Sequence, residues 1–243
     1  MRAGWLAPGL GYAAGLVGGW VLNGVLAAPV RAAWQAWVST NLANLRDHPV
    51  HALVLSAFVT ENDPLGWILL GAVGLGVTAR LLGVWRTVLL VAAGHVIGTL
   101  VSEGIVGYRI AVGSAPDRDR YLMDIGASYV VVCALVAGIA YGTWAGRVLC
   151  ATGFLLVAPD LFGGLRRLDL APVGHACAIA VALGLGWILR RSAAEARARA
   201  RARDQARARA RDQARARARD RAATAVPAGT DDAGATPAAP APT

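Results

Sequence analysis

DIGASYVVVCALVAGIAYG, residues 124–142, opens on one carboxylate and then runs to Gly142 without a charge. About 20 mostly apolar residues suffice to cross a bilayer, so the stretch reads as a membrane span. Five more runs read the same way: about 7–28, 64–82, 86–107, 146–163 and 171–189. Backbone polar groups in lipid must find partners inside their own segment, which makes the spans helices. The alternating ten-residue segments of a membrane barrel are absent from the sequence. The expected fold is therefore all-α, a polytopic bundle of six transmembrane helices. Glycine-rich patches such as GLVGG and GAVGLG suit close helix contact.

Composition agrees. Hydrophobic residues make up 56% of the 243 residues, against about 45–50% in a soluble domain. The net charge of +9 is confined to one appendage: 13 arginines and four acids lie in 190–221, and the remainder balances. Three domains follow: 1–190 as the membrane bundle, 191–221 as an Arg/Ala-rich helical tail, and 222–243 as a disordered Ala/Pro/Thr-rich end. The tail repeats ARARARDQ-like units, and both alanine and arginine favour helix. Its arginines alternate with alanine and spread around a helix, so an amphipathic membrane face is not expected. Contact with anionic lipid needs no such face. No nucleic-acid partner is expected, because no aromatic residues are interleaved for base stacking.

The first apolar run is long for a signal peptide and has a weak positive flank, so it is expected to stay as an uncleaved span. Arginines at 190–191 and beyond place the C-terminus in the cytoplasm, and six spans then place the N-terminus there too. Arg80 and Arg86 agree with that orientation, whereas Arg166 and Arg167 fall on the outer side. Residues 51–59 are too few to span and are expected to be interfacial, re-entrant or the start of an unusual second helix. Trp34 and Trp37 suit the headgroup level.

Ionisable groups in a membrane are costly and are often functional. Ser128 lies four residues past Asp124, and His175 six past Asp169, so both sit at a shallow outer depth at about 1.5 Å rise per residue. A serine and histidine that meet can form a nucleophile and its base. Gly126 would allow a close approach beside them. His95 lies near mid-span and reads as a helix–helix hydrogen bond, and Glu103 as a group near the outer end. The cysteines (Cys133, Cys150, Cys177) lie in or beside apolar runs without a CxxC spacing, and neither a metal nor another cofactor is expected.

Four motifs carry a resemblance: STNLANLRDHP (39–49), LVLSAF (53–58), GHVIGTL (94–100) and DIGASY (124–129). In that order the chain resembles the rhomboid superfamily of intramembrane serine proteases over about residues 10–190, and especially the divergent rhomboid-like proteins of high-GC actinobacteria. The resemblance implies a multi-pass protein of a bacterial plasma membrane. It implies Ser128 as nucleophile, Gly126 two residues before it, and His175 as base. It also implies oxyanion donors from the second helix, where His51 matches the histidine. The fourth residue on from it is Leu55, not an asparagine, and Ser56 stands one place late. Tyr129 replaces the glycine that follows the family's serine. Two readings stay open: a serine endopeptidase that cuts membrane proteins, and an inactive relative that binds transmembrane helices. A transporter is the third class, without the inverted repeats that would favour it.

Overall fold

The computed structural model describes residues 4–60 and 64–224, with side chains as far as residue 221. The expected disordered end at 222–243 lies almost wholly outside the described residues. The chain divides into two units, 1–194 and 195–243. Among the described residues of the first unit the regular structure is helical, and no strand occurs. Its helices are α1 (Ala7–Val25), α2 (Ala28–Val38), α3 (Leu42–Asp47), α4 (Pro49–Leu55), α5 (Leu65–Leu82), α6 (Val84–Ala111), α7 (Ser128–Tyr141) and α8 (Trp144–Leu161). The last helix, α9 (Leu170–Thr224), begins there and continues into the second unit.

Among the described residues, five helical segments have the length and hydropathy to cross a membrane: Gly4–Val25, α5, α6, α8 and α9. The sixth expected span, 124–142, is the apolar but shorter α7 of 14 residues. At 1.5 Å per residue α7 is about 21 Å long, against about 30 Å for a hydrocarbon core. It sits inside the bundle, with Tyr129 through Gly138 all buried. Helices α5, α6 and α8 pack against it.

The shortening has a cause at the N-terminal end. Residues 122–126 are not helical, because their backbone is bonded elsewhere. The Asp124 carbonyl accepts the Thr40 N–H at 2.8 Å, and the Asp124 N–H donates to Ser39 Oγ at 2.9 Å. The Gly126 N–H donates to the Ser56 carbonyl at 3.1 Å. Irregular backbone at membrane depth is tolerated where protein satisfies it.

Residues 28–58 supply those partners. This stretch forms α2, α3, α4 and a 3-10 turn, Ser56–Phe58, rather than a span. Pro29 and Pro49 each stand in the first turn of a helix, where a missing N–H costs nothing. Asn41 caps α3 by accepting the Asn44 N–H at 3.0 Å. The excursion is pinned to the bundle by Tyr12 of α1. Its hydroxyl donates to the Ala57 carbonyl at 2.8 Å and faces the Ala127 carbonyl at 3.3 Å. Tyr12→Phe leaves both carbonyls without that donor, and unsatisfied buried groups cost about 1–3 kcal/mol. The variant should melt at a lower temperature in detergent, and an unchanged Tm would show that the hydroxyl does not hold the excursion.

Gly83 ends α5 with φ at +86°, a left-handed conformation that strains other residues, and turns the chain directly into α6. In the second unit, the helical residues 195–221 are exposed throughout. Glu195 pairs with Arg199 at 3.9 Å.

Candidate functional site

Ser128 is the first residue of α7 and is half-buried. The preceding Ala127 is buried, and Gly126 lies close enough that a Cβ there would stand 3.3 Å from the Ser128 hydroxyl. Ser128 thus marks the junction between the extended segment and the helix, not the interior of a span.

His175 is buried in the second turn of α9. Its Nδ1 lies 2.9 Å from the Leu161 carbonyl. A carbonyl only accepts, so Nδ1 carries the proton and Nε2 holds the lone pair. Leu161 is the last residue of α8, whose terminal carbonyls have no helical partner. His175 therefore caps α8. Its Nε2 is buried with no hydrogen-bond partner, so the structure does not join it to the Ser128 hydroxyl. The ring it meets is Tyr129, edge-on at a centroid distance of 5.1 Å.

The Tyr129 ring is built into the helix crossing. A Cβ on Gly174 would collide with the ring and hydroxyl of Tyr129. One on Gly98 of α6 would stand 3.5 Å from Tyr129 Cδ2 and 3.0 Å from the Gly174 carbonyl. Two glycines thus let α6 and α9 close around a tyrosine. On the other side, the Tyr129 ring lies 6.0 Å from that of His95.

His95 follows the logic of His175. Its Nε2 lies 2.9 Å from the Leu53 carbonyl and 3.2 Å from Ser56 Oγ. The bond to Leu53 requires a protonated Nε2, leaving Nδ1 as a buried lone pair without a partner. His95 thus bonds the excursion, through α4 and the turn after it, to α6. Ser56 is fully buried and faces His95 with its side chain and Gly126 with its carbonyl. His51 is turned away to Trp37: the rings stack at 4.2 Å, and Nε2 donates to the Trp37 carbonyl at 3.0 Å. His48 lies against His51 at 5.1 Å.

A polar band continues from Tyr129. Its hydroxyl stands 3.5 Å from Asp124 Oδ1, and Thr40 Oγ1 donates to Asp124 Oδ2 at 3.1 Å. Thr99, Ser102 and Glu103 share one face of α6 at i, i+3 and i+4 spacing. All three are buried. Ser102 donates to the Thr99 carbonyl at 3.1 Å. The Glu103 carboxyl group lies near the Leu42 backbone and Asp124, yet neither oxygen makes a well-formed hydrogen bond. Thr99 Oγ1 is likewise unpartnered. Glu103 is legible in the sequence as an intramembrane acid, whereas Thr99 is marked only by its helical spacing to Glu103. Ser39 and Thr40 are marked only by the polarity of STN. Among the described residues, no group of three or more His, Cys, Asp or Glu side chains could hold a metal ion.

A family model described as rhomboid-like protein matches residues 12–196, and the chain belongs to that rhomboid-like family. The match spans the helical bundle and the irregular segments around Ser128. No curated protein and no solved structure matches the chain.

Proposed function

We propose that this rhomboid-type membrane protein binds transmembrane segments of other proteins without cutting them. The observation that carries this reading is the edge-on contact of Tyr129 with His175, where the lone pair on Nε2 meets no hydroxyl. The other groups a protease would need are engaged elsewhere. His51 is held by Trp37, Ser56 by His95, and Leu55 offers no donor. Losing a single oxyanion donor lowers turnover by about 10²–10³. Both buried histidines act as donors to main-chain carbonyls.

One observation favours the proteolytic alternative. The bond from Nδ1 to Leu161 fixes the His175 tautomer that a general base requires. Ser128 also stands at a helix N-terminus, where unpaired N–H groups favour developing negative charge. Catalytic hydrogen bonds can be long before substrate binds. Under that alternative, Ser128 attacks the peptide carbonyl, His175 takes the hydroxyl proton and then returns it to the leaving amine. The resulting acyl-enzyme is released by water.

A serine-directed fluorophosphonate probe distinguishes the two readings. The purified protein in bilayers should show no labelling that Ser128→Ala removes. A fluorescent single-span peptide should associate saturably, and Ser128→Ala should leave that association unchanged. Ser128-dependent labelling, abolished also by His175→Ala, would overturn the binding-only reading. Absence of saturable association would overturn it as well.

The arginines at 80, 86, 147, 190 and 191 and in the tail support cytoplasmic N- and C-termini, and the rhomboid-like family supports a multi-pass membrane protein. The tail supports contact with anionic lipid headgroups, its arginines at 195–221 being exposed.

A further inference from the structure

A groove of about 670 Å³ lies between α3, the end of α6 and the 3-10 turn Asp117–Tyr121. Its wall mixes apolar and charged groups: Leu42, Ile110 and Tyr121 stand beside Arg46, Asp47 and Arg120. The charges differ in how they are engaged. Arg120 is paired with Asp117. Arg46 and Asp47 are consecutive and exposed at the end of α3. Among the described residues they make no ion pair and no side-chain hydrogen bond, with each other or with any neighbour. The groove therefore presents one open guanidinium and one open carboxylate.

Its depth follows from α6, which has 28 residues. At about 1.5 Å per residue the helix is about 42 Å long, against about 30 Å for a hydrocarbon core. Arg86 stands near its start, at the headgroup level of one membrane face. Gly107 lies about 31 Å further along, at the boundary of the opposite face. Ile110 and Ala111 then reach the headgroup layer. Tyr108 and Tyr121 are 68% and 65% exposed at this level, where aromatic rings suit the interface.

We infer that the groove seats the headgroup of a zwitterionic phospholipid with a primary ammonium, phosphatidylethanolamine. Its phosphate lies on Arg46, its ammonium on Asp47, and its glycerol and first acyl carbons against Leu42 and Ile110. Charge complementarity selects this occupant. A guanidinium offers its N–H edges to phosphate oxygens, and a primary ammonium donates N–H bonds to a carboxylate. The quaternary ammonium of phosphatidylcholine has no N–H to donate. Phosphatidylglycerol brings no cation to Asp47. A phosphoester without acyl chains would leave the apolar part of the wall uncovered. The volume is in the range of small-molecule sites, about 300–1,000 Å³. The groove begins one helical turn beyond Glu103, and the inference does not depend on whether the protein cuts client segments or only binds them.

The test uses the full chain in phosphatidylcholine bilayers. These are doped with phosphatidylethanolamine, phosphatidylglycerol or phosphatidylcholine carrying a diazirine near the carboxyl end of one acyl chain. Cross-links are mapped by peptide. The phosphatidylethanolamine probe should label the peptides bearing Leu42 and Ile110 in excess of the other two. Arg46→Gln should lower that labelling about fivefold. Asp47→Asn should remove the preference for phosphatidylethanolamine over phosphatidylglycerol. Both side chains are exposed, so neither change disturbs packing. Gly107→Leu should lower labelling by every probe, because a Cβ there reaches only ordinary contact with Leu42, at 3.5 Å, and the rest of the side chain occupies the groove. Equal labelling by the three probes would overturn the inference. So would an excess of phosphatidylglycerol, indifference to Arg46→Gln, or labelling spread evenly over the exposed Leu10, Leu155 and Leu156. Displacement by excess soluble glycerophosphoethanolamine would assign the groove to free phosphoesters, and displacement by the single-span peptide would assign it to a client flank. Either result would overturn a lipid site.

Discussion

Gly174→Ala should be the most damaging single-methyl change in the bundle. The new Cβ falls on the ring and hydroxyl of Tyr129. That ring is itself hemmed in by Gly98 and by the imidazole of His175. Overpacking of this kind costs about 1–3 kcal/mol, and more where the neighbours are backbone. Thermal unfolding in detergent should show a marked loss of Tm. Tyr129→Ala opens the space and costs stability alone, by cavity formation. The double variant should therefore lose less than the sum of the two, with a coupling of about 1 kcal/mol or more. Additive losses would mean that Tyr129 does not occupy the space beside Gly174.

Glu103→Met should act in the opposite direction. The carboxyl group is buried on α6, and neither oxygen makes a well-formed hydrogen bond. Leaving such a group unsatisfied costs about 1–3 kcal/mol, so an apolar side chain of similar length should raise the unfolding temperature. The same variant should weaken association with the single-span peptide, since costly groups in a membrane are kept where function uses them. A fall in Tm would show that the carboxylate has a strong partner. A rise in Tm with unchanged association would remove Glu103 from the functional surface.

These two sites show what a local reading of the sequence can reach. The apolar runs located the long helices to within about four residues at each end except that of α9, which continues to Thr224, because span length and periodicity are local properties. The start of α7 was displaced from Asp124 to Ser128 by bonds to Ser39, Thr40 and Ser56, which lie 70 or more positions earlier in the chain. No local pattern encodes such partners. The excursion between the first two long helices was legible only as anomalous, too polar at its start and too short at 51–59 to span. Their distances in sequence from Asp124 and Asp169 placed Ser128 and His175 alike near an end of their helices. Spacing could not show that His175 would be taken by the end of α8, or that Tyr129 would lie against its ring. In the exposed tail, Glu195 lies one helical turn from Arg199 and pairs with it. Exposed pairs of this kind gain little over solvation by water.

The length of α7 bears on how the protein is made. A lone helix of about 21 Å would have to thin the bilayer or draw Asp124 into the hydrocarbon. Buried over ten consecutive residues, it is held by neighbouring helices rather than by lipid. Its stable insertion should therefore depend on α5, α6 and α8, which pack against it. A chain truncated after Tyr141 and released from the ribosome would end in a segment that the membrane alone does not retain.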